Sequence, residues 1–121
     1  MANPASITVT DLSYDGNISA PAAASIDTDG TVPVAAGGKG TERLILIVAN
    51  TDDAAVTVAV KAGDFLAAGL GDLSQSIAAG ATRIFGPFES ARYLQDDGNL
   101  NVSFAAASGS PACSVTAYRL P

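Results

Sequence analysis

Residues 44–63 read LILIVANTDDAAVTVAVKAG, and their alternation sets the class of fold. In residues 42–49, Leu44, Leu46 and Val48 share one face while Ile45 and Ile47 share the other. Apolar side chains on both faces point to a central strand covered on both sides. Asn50, Thr51, Asp52 and Asp53 are turn formers. In residues 55–61, Val56, Val58 and Val60 alternate with Thr57, Ala59 and Lys61, which gives one buried and one wetter face. The two runs are expected to pair as a β-hairpin around that turn.

The same punctuation continues outward in both directions. Residues 6–10 (SITVT) read as a first strand, and Asp15-Gly16-Asn17 as a turn. A weak strand runs through Ile26, a turn falls at Asp29-Gly30, and a short strand covers residues 31–34. Pro33 lacks the N–H that a ladder needs, so that strand belongs at a sheet edge or beside a bulge. Residues 37–40 (GGKG) form a flexible loop, and residues 63–73 (GDFLAAGLGDL) a longer one carrying Phe65, Leu66 and Leu70. Strands follow at 73–77 and 82–85, one helical turn fits residues 89–95, and residues 100–104 and 113–120 make a final alternating pair. About eight short strands define an all-β fold: a single antiparallel β-sandwich or jelly-roll-like domain over residues 6–121, behind a flexible N-terminal arm at residues 1–5. Its expected core is Leu44, Leu46, Val48, Val56, Val58, Val60, Ile84, Leu100, Val102, Phe104 and Val115.

Composition narrows the possible functions. A chain of 121 residues is one ordinary domain, large enough to fold without disulfides or metals. Its net charge of −6 argues against nucleic acid, whose recognition needs a cationic surface, and against anionic membrane. The start, MANPASITVT, shows neither the basic nor the apolar region of a Sec signal, and no apolar run reaches membrane-span length. A lone Cys113, in register with Val115 and Ala117, reads as a buried, inert thiol.

The chain has no histidine, which removes Ser–His–Asp and Cys–His nucleophiles, His-based zinc sites and the usual base near neutral pH. No catalytic residues, no cofactor and no tightly held metal are therefore expected. Asp27-Thr28-Asp29-Gly30 is the nearest approach to a calcium loop. With Gly30 as the invariant glycine, however, the first ligand position falls on Ser25 and the bidentate Glu position on Ala36. Asp and Gly are also what a turn demands, so turn chemistry is the preferred reading there. Paired acids of a glycosidase would have to converge from distant strands, in a chain without the Trp that sugar platforms favour. The apolar loop is the remaining informative feature. Phe65, Leu66 and Leu70 either fold back to cap the domain, the preferred expectation, or contact a partner.

Taken together, IDTDGTVPV, the 44–65 run ending in AGDF, GLGDLSQSIAAGATRIFGPFESARYLQDDGNLNVSF and the terminal SVTAYRLP resemble a known family. It is that of the small head-decoration, or auxiliary capsid, proteins of tailed bacteriophages. The similarity runs from Ile26 onward, and its most characteristic piece is GPFESARYLQDDGNL. The resemblance implies a non-enzymatic cement, made in the bacterial host cytoplasm, that binds the major capsid protein on the outer capsid surface of the virion, often as trimers. Phe65, Leu66 and Leu70 are the candidate contacts, with the N-terminal arm beside them. Two other classes stay open: a surface β-sandwich that binds carbohydrate or a receptor, and a phage tail or baseplate β-domain.

Overall fold

The computed structural model describes residues 3–37 and 41–121. Met1 and Ala2 of the expected arm, and Gly38, Lys39 and Gly40 of the expected flexible loop, lie outside the described residues. Strands take up 42% of the chain and helix 7%, so sheets carry the fold. Nine strands occur among the described residues: β1 (Val9–Asp11), β2 (Ala24–Ile26), β3 (Gly30–Val34), β4 (Leu44–Asn50), β5 (Val56–Val60), β6 (Leu73–Ile77), β7 (Thr82–Phe85), β8 (Leu100–Ala106) and β9 (Cys113–Arg119). A 3-10 turn at Leu66–Leu70 and a single helical turn, α1 (Ser90–Tyr93), complete the inventory.

The strands form two sheets. One runs β3-β8-β5-β6, all antiparallel. The other runs β1-β9-β4-β7, with β2 also on β9. There β2 lies antiparallel to residues 113–115 and β1 parallel to residues 117–119, so two short pieces share one edge of β9. Side chains from both sheets meet in one buried cluster that includes Leu46, Val58, Val102, Phe104 and Val115.

The hairpin expected across residues 50–53 does not form. β4 and β5 belong to different sheets, and residues 51–55 carry the chain from one to the other. Residues 78–81, between β6 and β7, and residues 107–112, between β8 and β9, make the same kind of crossing. The expected β8–β9 pair is therefore also divided between the sheets. Alternation shows that a segment is a strand, but it carries no information about which neighbour supplies the ladder. Asn50, at the end of β4, is 1% exposed. Its Nδ2 donates to Ala54 O (2.9 Å), Ile77 O (3.0 Å) and Ala78 O (3.3 Å), and its Oδ1 accepts from Asp52 N (3.0 Å). Its main chain pairs with Ala81 O and Gly80 N, both at 2.9 Å. The bond to Asp52 N is the one a turn former makes, and the same side chain also joins two sheet crossings.

Ten of the eleven expected core residues are buried; Ile84 is 69% exposed. The register pairs Phe85 with Leu46 and Ile84 with Ile47. Because Leu46 points into the core, Phe85 does too, and Ile84 must face out. The outer face of β4 is likewise only half-buried at Ile45 and Ile47, so the strand is central in its sheet but not covered on both sides. Pro33 sits on β3, an edge strand. Its carbonyl accepts from Ile7 N (2.8 Å), so its own nitrogen also points away from β8, where no ladder bond is lost.

Val58→Asp places an unpaired charge in the buried cluster, and the variant is expected not to fold. Asn50→Ala leaves buried carbonyls without donors and is expected to cost about 3 kcal/mol. Urea denaturation followed by circular dichroism measures both.

Candidate functional site

Beyond the strands, the elements that organise an exposed apolar surface are residues 61–72, α1 and residues 94–99. Phe65, Leu66 and Leu70 do not fold back as a cap: they are 47%, 99% and 68% exposed. The reason is visible at the base of the loop. Asp72 Oδ1 accepts from Ala62 N (2.6 Å), and its Oδ2 pairs with Lys61 Nζ (2.9 Å), which closes the neck. Gly63 N donates to Arg92 O (2.7 Å) and Asp64 N to Leu94 O (3.1 Å), fastening the loop to α1 and the residue beyond it. Asp64 Oδ2 accepts from Asp96 N (2.8 Å), and Gln95 Nε2 donates to Ala62 O (3.0 Å). The backbone thus satisfies itself locally, with no need for the apolar side chains to turn inward.

Arg92 holds the other side of this arrangement. Its Nε donates to Gly71 O (3.0 Å), while its guanidinium carbon lies 4.8 Å from the centre of the Tyr93 ring. Tyr93 meets Phe88 edge to face, with centroids 5.6 Å apart, and both rings are buried. This aromatic pair is the part of GPFESARYLQ that caps the core, the job expected of Phe65. Gly63 is required by close approach: a Cβ there would lie 2.0 Å from Leu94 O. Thr41 and Glu42 anchor the start of α1. Buried Thr41 donates through Oγ1 to Phe88 O (3.0 Å), and the Glu42 carboxylate accepts from Ser90 N and Ser90 Oγ, both at 2.8 Å.

Two carboxylates here lie below their ordinary pKa. Glu42 is lowered chiefly by the Ser90 hydroxyl and then by the Ser90 N–H. Asp72 is lowered chiefly by the Ala62 N–H and then by Lys61. The Cys113 thiol is buried, and desolvation, helped by the negative Asp52, pushes its pKa up, so it is held as the neutral thiol.

The remaining candidates do not converge. Asp29 Oδ1 accepts from Ala106 N (3.2 Å) and ties the β2–β3 link to the end of β8. Asn3 Oδ1 accepts from Asp27 N (2.9 Å) and Thr28 N (3.0 Å), while its Nδ2 donates to Thr28 O (2.7 Å). These are turn and strand-end contacts, and they fasten residue 3 of the expected arm to the body. No group of three or more Cys, Asp or Glu side chains is arranged to hold a metal among the described residues. A cleft of about 360 Å³ beside Asp11, Arg43 and Arg119 is crossed by the Arg119 Nη1–Asp11 Oδ1 pair (3.1 Å), and Arg119 Nη2 donates to Ala36 O. Comparison of the chain with known protein families, with curated proteins and with solved structures finds no match in any of the three.

Gly63→Ala is expected to break the two loop-to-α1 bonds and cost about 2 kcal/mol, with faster amide exchange across residues 63–72. Glu42 and Asp72 carry pKa values depressed by folding, so the unfolded chain binds more protons at low pH. Their contribution is complete above their ordinary values, 4.5 and 3.8, and is lost as the pH falls through the lowered folded values. Glu42→Gln and Asp72→Asn are each expected to flatten the fall of thermal stability below pH 4.5, measured by melting at stepped pH.

Proposed function

We propose that this chain is a structural head-decoration protein. In this reading its two sheets pack as a β-sandwich that binds the outer surface of an assembled bacteriophage capsid, contacts the major capsid protein and stabilises the shell. The observation that carries the reading is the exposed apolar turn at Phe65, Leu66 and Leu70, fixed to the body by hydrogen bonds at its neck and at α1. Three large apolar side chains exposed on one short turn are the kind of surface that contact with a partner would bury. A rigid turn loses little conformational entropy when it docks, so more of its burial energy remains as affinity. The resemblance carried by GPFESARYLQDDGNL supports the same reading, since those residues build the platform under the turn.

Binding through such a surface rests on buried apolar area. It is expected to survive about 1 M salt, where exposed ion pairs are screened within about 3 Å. Co-sedimentation with purified undecorated capsids at low and high salt tests both points. Failure to bind the cognate mature capsid overturns the decoration reading, and loss of binding at high salt overturns the apolar mechanism. Leu66→Ser, at an almost fully exposed position, is expected to weaken binding at least about tenfold with no change in melting temperature. Unchanged binding by that variant removes the turn from the interface.

A further inference from the structure

The exposed apolar residues of this chain are unevenly distributed, and so are its free sheet edges. Of the eight large hydrophobic side chains exposed among the described residues, five lie in residues 65–84: Phe65, Leu66, Leu70, Leu73 and Ile84. This region includes β6 and β7, the last strand of each sheet, whose outer edges pair with no further strand among the described residues. The opposite flank is different. There β1 and β2 are three residues each, and Ile7 stitches across to β3 through Ile7 N–Pro33 O (2.8 Å) and Ala35 N–Ile7 O (2.9 Å).

The charge pattern follows the same division. Within a chain of net charge −6, residues 65–88 contain one acid, Asp72, and one base, Arg83. Asp72 is already paired with Lys61. Two copies of an acidic protein repel least where each is locally neutral. Neutrality, exposed apolar groups and a free ladder edge therefore coincide on one flank. A second copy of the same chain fits that flank by all three criteria.

We propose that β7 is a self-pairing edge, and that two copies of this chain join through it antiparallel about a two-fold axis. Because the other flank is broken and stitched, strand addition has to bring one open flank against another, and an isologous contact results. β6 is the poorer edge: it presents Ser74, Gln75 and Ser76, and the Gln75 amide already donates to Ser76 O (3.0 Å). Parity and charge then choose the register on β7. Keeping the outer faces of the two sheets continuous requires a residue to pair with its own copy. Arg83 against Arg83 places like charges directly opposite, which is unfavourable. Ile84 against Ile84 instead buries two exposed side chains on each other, beside the half-buried Ile47 that flanks each of them. The axis therefore passes at Ile84. Gly86-Pro87 ends the ladder, because Pro87 has no N–H to offer. This contact is independent of the capsid reading, and it differs from the three-fold assembly that the family resemblance implies.

Sedimentation equilibrium of the purified full chain tests the proposal. A reversible monomer–dimer equilibrium is expected, with Ile84→Lys raising the dimer dissociation constant about a hundredfold or more while circular dichroism stays unchanged. Tyr14→Ser, at an exposed position on residues outside both sheets, is expected to leave the equilibrium alone. Should Ile84→Lys fail to fold, Ile84→Cys supplies the second reading: mild oxidation is expected to yield a disulfide-linked dimer, and Tyr14→Cys is not. A chain that stays monomeric up to about 1 mM, a trimer, a dimer indifferent to folded Ile84→Lys, or no cross-link through Ile84→Cys overturns the proposal.

Discussion

The side chain of Asn50 is the point on which the two-sheet arrangement turns. An amide taken out of water is unfavourable unless its hydrogen bonds are replaced. Here they are replaced by carbonyls of two separate chain crossings, Ala54 on one and Ile77 and Ala78 on the other, and by the N–H of Asp52. The amide is satisfied only when β4 has left for β5 in the second sheet and β6 has returned to β7 in the first. The third crossing lies alongside: Thr51 N and Thr51 Oγ1 both donate to Ala112 O, at 2.8 and 2.9 Å. One end of the molecule is thus built from crossings that certify one another, and Cys113 is buried against the same corner in register with Asn50.

The other end solves a different problem. Residues 61–72 have to return the chain from β5 to β6 within one sheet, and residues 86–99 have to carry it from β7 to β8 between sheets. These two long connections hydrogen-bond to each other through Gly63, Asp64, Arg92 and Leu94. The buried pair Phe88 and Tyr93 then closes the core, so Phe65, Leu66 and Leu70 are left at the surface. An exposed apolar turn on a stiff mount follows from this division of labour between two loops. The proposed capsid contact and the proposed β7 self-contact use neighbouring parts of the same charge-balanced stretch, and they differ in what they consume. The turn offers side chains, whereas β7 offers a backbone ladder.

What the residues alone determined is the set of strands and most of the inward faces. Side chains alternate along a strand whatever its partner is, so Leu44, Leu46 and Val48, or Val56, Val58 and Val60, declare a buried face without reference to the rest of the chain. Pro33 announced an edge for an equally local reason, its missing N–H. Partner choice depends on groups far apart in sequence, and only the tertiary structure decided it. The amide of Asn50 reaches 27 and 28 residues along the chain, so the apparent hairpin became a crossing between sheets. Ile84 was misplaced because a four-residue strand has too little alternation to tell its faces apart, and the register of Phe85 against Leu46 turned Ile84 outward. The exposure of Phe65, Leu66 and Leu70 was open to sequence reasoning only as one of two alternatives. The choice between them lies with Phe88 and Tyr93, which occupy the core from the β7–β8 connection instead.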